Sequence, residues 1–303
     1  MAVISVGNFG KLLWPGLNKI YGKAYNEFRV EYPMLFDSFK SSKHYEEDLG
    51  ISSFGLAQQK GEGAPINYDS ERQAFLTRYT HVEYGLGFVI TKVMYEDDQY
   101  GQVGERRAKG LAFSMRQTKE VVGANVYNRA FNASYTGGDG SALCVTNHAN
   151  FAGGTWANTL ATAADLSEAA LEQACIDLMK FTNDRGLRIN VMPESLIIPP
   201  DLIFEAQRIL MSPYRVGTAE NDINAINDLN KFPEGIKVNH YLTDTDAWFI
   251  RTDVQDGMKY FTRRDDTFTD DNDFDTDNAK YKATSRFSFG WTDPRQLYGS
   301  PGA

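Results

Sequence analysis

Residues 78–93 read RYTHVEYGLGFVITKV, and this stretch decides the fold. Apolar side chains occupy every second position of its central part, at Val82, Tyr84, Leu86, Phe88 and Ile90. A period of two is typical of a β-strand with one buried face. A weaker strand signal begins at Ile51, and the polar, Gly- and Pro-containing residues 60–70 separate the two. The pattern predicts a long two-stranded hairpin, which should lie against another surface because an isolated hairpin is only marginally stable.

The segments on either side of this hairpin have a different pattern. Residues 96–131 switch to helical spacing, with one apolar stripe that includes Leu111, Met115 and Val122. Such a helix could reach roughly 50 Å. Glycines should weaken it and bend or fray its start; they lie at Gly101, Gly104, Gly110 and Gly123. Residues 1–48 carry only an interrupted helical stripe, which predicts an arm that packs on something else.

The rest of the chain alternates between helices and strands. A helix is predicted over 166–184, with a capping-box start at Asp165 and Glu168 and an end at Gly186. A strand at 196–198 and a third helix after Pro200 follow. Further short strand signals lie at Ile236, Val238, 247–250 and 258–261, and one long alternating strand signal covers Ala279–Gly290. The sequence therefore predicts a mixed α+β fold.

Composition excludes several classes of function. The 303 residues hold 31 Lys and Arg against 40 Asp and Glu, a net charge of −9. Binding of nucleic acid through the overall charge is therefore not expected, because it requires a basic face. The cysteines, Cys144 and Cys175, are too few for a disulfide framework or a four-cysteine zinc site. With no secretory signal and no apolar run of about 18 residues, we expect synthesis in the cytosol and no membrane span.

Two clusters could carry chemistry. Cys144 lies four residues before His148, but catalysis would need their side chains in contact and a third, orienting group, so we interpret Cys144 as structural. The run 265–277 holds seven aspartates, with Asp271, Asp273 and Asp275 alternating as in a calcium loop. It lacks the Gly and the closing Glu of such a loop. We therefore interpret it as a solvated acidic loop, with a weak cation site at a subunit contact as the alternative.

The remaining motifs are less specific. The histidines are isolated in sequence, at 44, 81, 148 and 240, and no nucleotide-binding or hydrolase signature is present. The segment 137–140 reads as a turn, and the Arg pairs at 106–107 and 263–264 suit interface salt bridges as well as nucleic acid. We predict no catalytic, cofactor-binding or metal-binding residues, no cofactor, and no enzymatic activity.

Three stretches resemble a known family. Asp139–His148 with Gly153–Gly154, Leu166–Leu171 continuing to Pro193–Pro200, and Phe274–Asn278 continuing to Phe287–Trp291 and Asp293–Pro294 are similar to the Mu-like major head subunit family of tailed phages. That family has the Hong Kong 97-type capsid fold, which encapsulins share. One departure is Cys144, where the resemblance implies an apolar or aromatic residue, and this favours packing over catalysis.

The resemblance implies a division of the chain. Residues 1–48 would be an N-terminal arm and 49–93 an extended β-hairpin loop that overlaps a neighbouring subunit. Residues 94–133 would form the long spine helix of a peripheral domain, 134–250 an axial domain, and 251–303 strands that return to the peripheral domain.

The implied function is that of a major capsid protein. Its partners would be itself, in the hexamers and pentamers of an icosahedral shell around double-stranded DNA, together with a separate scaffolding protein, a portal and, as a further candidate, a decoration protein. It would reside in the virion after assembly in the host cytoplasm. Some relatives link their subunits covalently, and Lys60 near the hairpin tip invites that reading, but no motif fixes a partner for it. The alternatives are an encapsulin-like compartment and a metal-binding soluble enzyme that uses the aspartate run.

Overall fold

The computed structural model describes residues 10–52, 54–96, 100–215, 222–273 and 278–303 and has a mixed α+β architecture. The helices are α1 (Gly10–Glu27), α2 (Lys92–Glu96), α3 (Tyr100–Asn128), α4 (Glu168–Met179), α5 (Ile203–Met211) and α6 (Ala225–Asp228). The strands are β1 (Asp37–Lys40), β2 (Tyr45–Ser52), β3 (Arg72–Thr80), β4 (Val82–Ile90), β5 (His148–Ala149), β6 (Thr155–Trp156), β7 (Pro193–Ile198), β8 (Ile236–Val238), β9 (Trp248–Thr252), β10 (Met258–Asn272), β11 (Ala279–Trp291) and β12 (Leu297–Ser300). None of the described helices combines the length and apolar character needed to cross a bilayer.

The first sheet has the strand order β1-β10-β11-β4. Strand β11 is antiparallel to β10 on one side and to β4 on the other, where Ala279 lies opposite Ile90 and Phe287 opposite Val82. The predicted strand over 78–93 is therefore two strands, and the prediction that all of it pairs with the strand near Ile51 is wrong. Periodicity shows that a strand has a buried face but does not identify the strand beside it.

The hairpin consists of β2 and β3, which pair antiparallel from Tyr45 opposite Thr80 to Ser52 opposite Arg72. It ends at His81, whose ring is buried and lies within hydrogen-bond distance of two hydroxyls, those of Ser288 (2.9 Å) and Ser41 (3.0 Å). Because this residue is held inside the body of the protein, the chain changes partner there, from the hairpin to the first sheet.

Helices α1 and α3 cover the first sheet. On α3, Ala108, Leu111, Ala112 and Met115 are buried against α1 and the strands, and the alanines allow a close approach of the backbones. With 29 residues, α3 is about 44 Å long. The prediction of a long helix is thus confirmed over Tyr100–Asn128, and the interrupted helical stripe of residues 1–48 corresponds to α1, which packs on α3.

A second sheet, of order β12-β9-β7-β8, forms the other core together with α4 and α5. The predicted buried face of α4 is confirmed, since Leu171, Cys175 and Leu178 are buried. The boundaries differ from the prediction over 166–184. Ser167, not Asp165, caps the helix by accepting a hydrogen bond from the Ala170 amide (3.2 Å), and the helix ends at Met179, before the turn that contains Gly186.

Two glycines of α3 should respond oppositely to substitution by alanine. A Cβ at Gly110 would meet nothing within 4 Å, whereas one at Gly123 would lie 3.3 Å from the Phe289 ring. Because glycine inside a helix costs about 1 kcal/mol relative to alanine, we expect Gly110→Ala to raise the free energy of unfolding by roughly that amount. Overpacking costs about 1–3 kcal/mol, so Gly123→Ala should lower it by about 1 kcal/mol. Urea unfolding of the free subunit measures both, and equal gains would contradict the packing described.

Candidate functional site

The hairpin exposes large apolar side chains. On β2, Tyr45, Leu49 and Ile51 share one exposed face. The tip beyond the strands exposes Phe54, Leu56 (79%), Ile66 and Tyr68 (94%). A contiguous set of this kind on a protein surface marks an interaction site.

The tip of the hairpin is nevertheless ordered by hydrogen bonds. The Asp69 carboxylate accepts from the amides of Gly55 and Ser70, both at 2.8 Å, and so joins the two legs of the loop. These two bonds hold the pKa of Asp69 below its usual range. Arg185 Nη2 donates to the Ser70 carbonyl at 2.9 Å, which ties the tip to the body of the protein. The apolar side chains are therefore presented on a defined loop.

The base of the hairpin is attached through polar groups. The Asp48 carboxylate accepts hydrogen bonds from Lys259 Nζ and from the Thr292 hydroxyl (2.7 Å), and Thr292 also bonds to the Tyr79 hydroxyl (2.6 Å). Burial alone would raise the pKa of Asp48, but these donors and the charge of Lys259 outweigh it, so the pKa is lowered. This attachment sets the angle at which the hairpin leaves the body.

The glycine turn at 137–140 lies under the hairpin. Gly140 donates to the Gly137 carbonyl (3.1 Å) and has a positive φ of 76°, which confirms the predicted turn. A Cβ at Gly138 would lie 2.7 Å from the Thr77 hydroxyl and 3.0 Å from the Leu76 carbonyl. The sequence prediction missed this close approach of two backbones, for which the Gly-Gly pair was the available signal.

Helix α1 is anchored on α3 by a buried polar cluster. Lys119 Nζ lies 3.0 Å from both Asp266 Oδ2 and the Tyr25 hydroxyl, and Tyr25 donates to the same carboxylate oxygen. The Arg116 guanidinium lies 3.8 Å from the Tyr25 ring centroid and donates to the Tyr25 carbonyl (2.9 Å). Burial and the Asp266 charge raise the pKa of Tyr25 well above its usual range. The phenol is therefore a permanent donor, and the cluster fixes the position of the arm.

The structure does not bring Cys144 and His148 together as a catalytic pair. Cys144 is buried, and burial raises the pKa of its thiol far above the usual range, so the thiolate is disfavoured. His148 Nδ1 lies 2.6 Å from Asp139 Oδ2, and its ring stacks on Trp156. On the opposite side, His148 Nε2 is 3.1 Å from Asn158 Oδ1. The histidine thus connects the glycine turn to the core, as a structural residue does.

The other histidines also have structural partners. His240 Nδ1 lies 2.6 Å from Glu31, and the His44 ring accepts from Arg286 (2.8 Å). Within the chain, Arg264 of the second Arg pair contacts Glu83 (2.5 Å) and Arg107 of the first donates to the Val89 carbonyl (2.8 Å), while salt bridges of these pairs across an interface stay a prediction.

The interpretation of 265–277 as a solvated loop is wrong for its first part. Residues 265–272 belong to β10, while Asp275 and Asp277 lie outside the described residues. Asp266 is paired with Lys119, and Asp273 lies 3.0 Å from Lys280 across the β10–β11 ladder. The Lys119 cation, which comes from α3, allows Asp266 to lie in a strand. Within the described ranges, no group of three or more His, Cys, Asp or Glu side chains could hold a metal ion.

A projecting apolar hairpin, a separately anchored arm and a long helix on a sheet are parts suited to assembly with other subunits. A family model described as phage capsid protein matches residues 75–300. The chain belongs to the phage capsid protein family. No curated protein sequence matches this capsid protein.

Solved structures have the same fold. The virus-like particle from Pyrococcus furiosus is similar over 94% of this chain and 98% of its own, at 12% identity and a TM-score of 0.53. The procapsid of bacteriophage JBD30 matches 98% of this chain and 76% of its own, at 14% identity and a TM-score of 0.53. The capsid of cyanophage P-SCSP1u covers 91% and 88%, at 10% identity and a TM-score of 0.55. These likenesses confirm the predicted Hong Kong 97-type fold.

The predicted function of the capsid protein is confirmed at the level of the family, and its place is the virion capsid. The narrower resemblance to the Mu-like major head subunits stays a prediction.

The Asp48 attachment should depend on pH. The pKa of Asp48 is lowered in the folded protein. The stabilisation that its carboxylate gives the fold is therefore fully present above the pKa of the unfolded chain, about 3.9, and is lost as the pH falls through the folded pKa. We expect Asp48→Asn to lower the free energy of unfolding at pH 7 by about 1–3 kcal/mol. The difference from the original protein should shrink as the pH falls below about 3.9 and should vanish only below the lowered folded pKa. Urea unfolding followed by tryptophan fluorescence measures this.

The neighbouring exposed pair of Glu47 with Arg78 provides the control, since Glu47→Gln should cost less than about 1 kcal/mol. An Asp48→Asn effect that does not shrink between pH 7 and about pH 2 would rule out this role for the carboxylate.

Proposed function

We propose that this capsid protein assembles with copies of itself, as hexamers and pentamers, into the closed icosahedral shell that encloses the double-stranded DNA of a tailed phage. The single observation that carries the proposal is the hairpin, which is ordered by Asp69 and tied down at Asp48 yet leaves its apolar side chains in water. A subunit that functions alone has no use for such a surface, whereas a neighbouring subunit can bury it.

The division of labour we propose follows the predicted segments. Residues 1–48 serve as the arm, 49–81 of the predicted segment 49–93 as the loop that overlaps a neighbour, and 94–133 as the spine of a peripheral domain to which 251–303 return. The rest of the predicted loop, which contains β4, lies in the first sheet. The strands of the hairpin, Tyr45–Ser52 and Arg72–Thr80, support a reaching loop, although the pairing begins a few residues before 49. Residues 134–250 serve as the axial domain; they contain β7, β8 and the start of β9 of the second sheet, whose remaining strand, β12 (Leu297–Ser300), comes from the C-terminal segment.

The axial domain carries a second exposed apolar patch. Phe204 and Met211 on α5 lie in water, as do Ile223 and Leu229 on either side of α6. We propose that this patch meets the axial domains of neighbouring copies around the five-fold and six-fold positions. Many such contacts, each weak, sum to a stable closed shell.

The net charge of −9 supports confinement rather than tight binding of DNA. Because acidic residues outnumber basic ones by nine, the overall charge of the subunit does not hold the DNA phosphates, so packaging and release of the genome are not opposed. We propose assembly in the host cytoplasm, a separate scaffolding protein, a portal and a decoration protein as partners, and no enzymatic activity. The buried, thiolate-disfavouring environment of Cys144 supports the last point.

A second candidate is an encapsulin-like compartment that encloses protein cargo. The likeness to the Pyrococcus furiosus virus-like particle over nearly the full length of both chains supports this alternative through the fold alone, which the phage capsids share equally. Genes for a portal and a terminase beside the coding sequence would support the phage capsid, and a cargo enzyme gene would support the compartment.

Removal of the tip should impair assembly more than stability. We expect deletion of residues 60–70 to abolish shells in electron micrographs of the purified protein, while the free subunit unfolds at a similar urea concentration, because the tip contributes little to the cores. Lys60→Ala provides the control, since it removes a tip cation but no apolar surface and should still give shells. If the deletion variant forms normal shells, the hairpin is not the surface that holds the subunits together.

A further inference from the structure

Strand β4 forms one edge of the first sheet. It pairs with β11 along one side over all nine residues, Val82–Ile90. Within the described ranges, no strand lies along its other side. A long edge strand with unpaired backbone groups invites pairing with another chain, so proteins normally cover or block it.

The phase of the ladder identifies the backbone groups on this open side. The Asp273 amide donates to the Asn278 carbonyl at 3.0 Å, so residue 278 directs its backbone groups toward the β10 side. Backbone groups alternate between the two sides of a strand, so those of residues 279, 281 and 283 of β11 point toward β4. Their partners on β4 are residues 90, 88 and 86, which therefore face β11. The N–H and C=O groups of Glu83, Gly85, Gly87 and Val89 consequently point outward. An independent observation supports this assignment: the Val89 carbonyl accepts a hydrogen bond from the Arg107 side chain at 2.8 Å, so it points away from β11.

The surroundings of this edge suit an incoming strand. On the helix-covered face of the sheet, Val82 and Leu86 remain half exposed (49% and 51%) and provide apolar contacts for alternate side chains of a partner. On the opposite face, Gly85 and Gly87 present no side chain. A Cβ at Gly87 would lie 2.6 Å from the Tyr281 carbonyl, so glycine is required there by the pairing with β11 and leaves this face of the edge open.

We propose that the outer edge of β4 accepts strand β2 of a second copy of this chain, an inference that rests on the proposed function. The two strands match in length, with eight residues in β2 and nine in β4. Strand β2 is itself an edge of the two-stranded hairpin. It exposes the apolar side chains of Tyr45, Leu49 and Ile51 on one face, as is typical of a strand that adds to the sheet of another chain.

Charge does not oppose this occupant. The three consecutive acids of strand β2, Glu46 to Asp48, already have partners in their own chain, namely Lys43, Arg78 and Lys259. The strand therefore brings no unpaired charge to the edge of β4. Because β2 of one copy meets β4 of the next, the contact is between two different surfaces. Contacts of this kind close into a ring when the rotation between copies is a simple fraction of a turn.

Hydrogen–deuterium exchange on the free subunit and on the assembled shell tests the pairing with the protein unmodified. In the free subunit, the four outward amides, those of residues 83, 85, 87 and 89, should exchange quickly while the five that face β11 are protected. In the shell, peptides that cover 82–90 should gain protection of about four amides, with exchange slowed roughly 100-fold or more. Peptides that cover 45–52 should gain protection in parallel.

Each other result overturns the proposal. Outward amides already protected in the free subunit mean that the chain covers its own edge. Protection of 82–90 without 45–52, or only after a decoration protein is added, means that the occupant is not β2. Shells with fully exchanging outward amides refute this inference alone, whereas a protein that never forms shells refutes it together with the proposed function.

A pair of substitutions at Glu83 provides a second test. Proline is tolerated on an edge strand where the missing N–H faces outward, so Glu83→Pro should leave the sheet of the free subunit intact but remove a donor for the partner strand. Glu83→Ala loses the same contact with Arg264 and keeps the N–H. We expect Glu83→Ala to assemble like the original protein and Glu83→Pro to need at least tenfold more protein to form shells. Equal assembly of the two variants, each folded by circular dichroism, would overturn the proposal.

Discussion

Strand β11 is the element on which the arrangement of the other parts depends, because it pairs along both sides at once. One side holds β10 and the other holds β4, so a segment near the end of the sequence joins one that lies almost two hundred residues earlier. Closing so long a loop is entropically costly, and the continuous ladder together with the aromatic stacking of Tyr84 on Phe287 and Phe88 on Tyr281 offsets that cost. The base of the hairpin is fixed by the same strand, since Tyr79 packs against Gly290.

The two reaching parts of the subunit are attached by polar groups, whereas its cores are apolar. Asp48 holds the hairpin and the Lys119–Asp266 pair holds α1, each with hydrogen bonds of defined direction. Such pairs add little net stability, but they fix an angle that apolar packing alone would leave variable. The tip gains a further advantage from Asp69, which orders the loop before any partner arrives and so lowers the entropic cost of association.

Local pattern was sufficient for much of the fold. The stripe over Leu111 and Met115 predicted α3, and alternation predicted both β4 and β11, because a buried face imposes its period on the sequence. Pairing was not predictable from period, since any strand with the right face could have been the partner of β4. Residues 265–272 were predicted in a loop because the cation that pairs with Asp266, Lys119, comes from another element. The same limit applies to the candidate site, where the resemblance indicated a hairpin but not Asp48, Asp69 or Gly138.

The place of β11 within the sheet also bears on the order of events during synthesis. A ribosome completes β4 and the hairpin long before it reaches residue 279, so during that interval β4 has two unpaired edges and α3 lacks part of the surface that it covers. A chain that stops early therefore has no stable sheet from which to project its hairpin at the right angle. We therefore expect only chains translated beyond residue 291, the end of β11, to enter a shell, so that prematurely terminated chains are excluded from it.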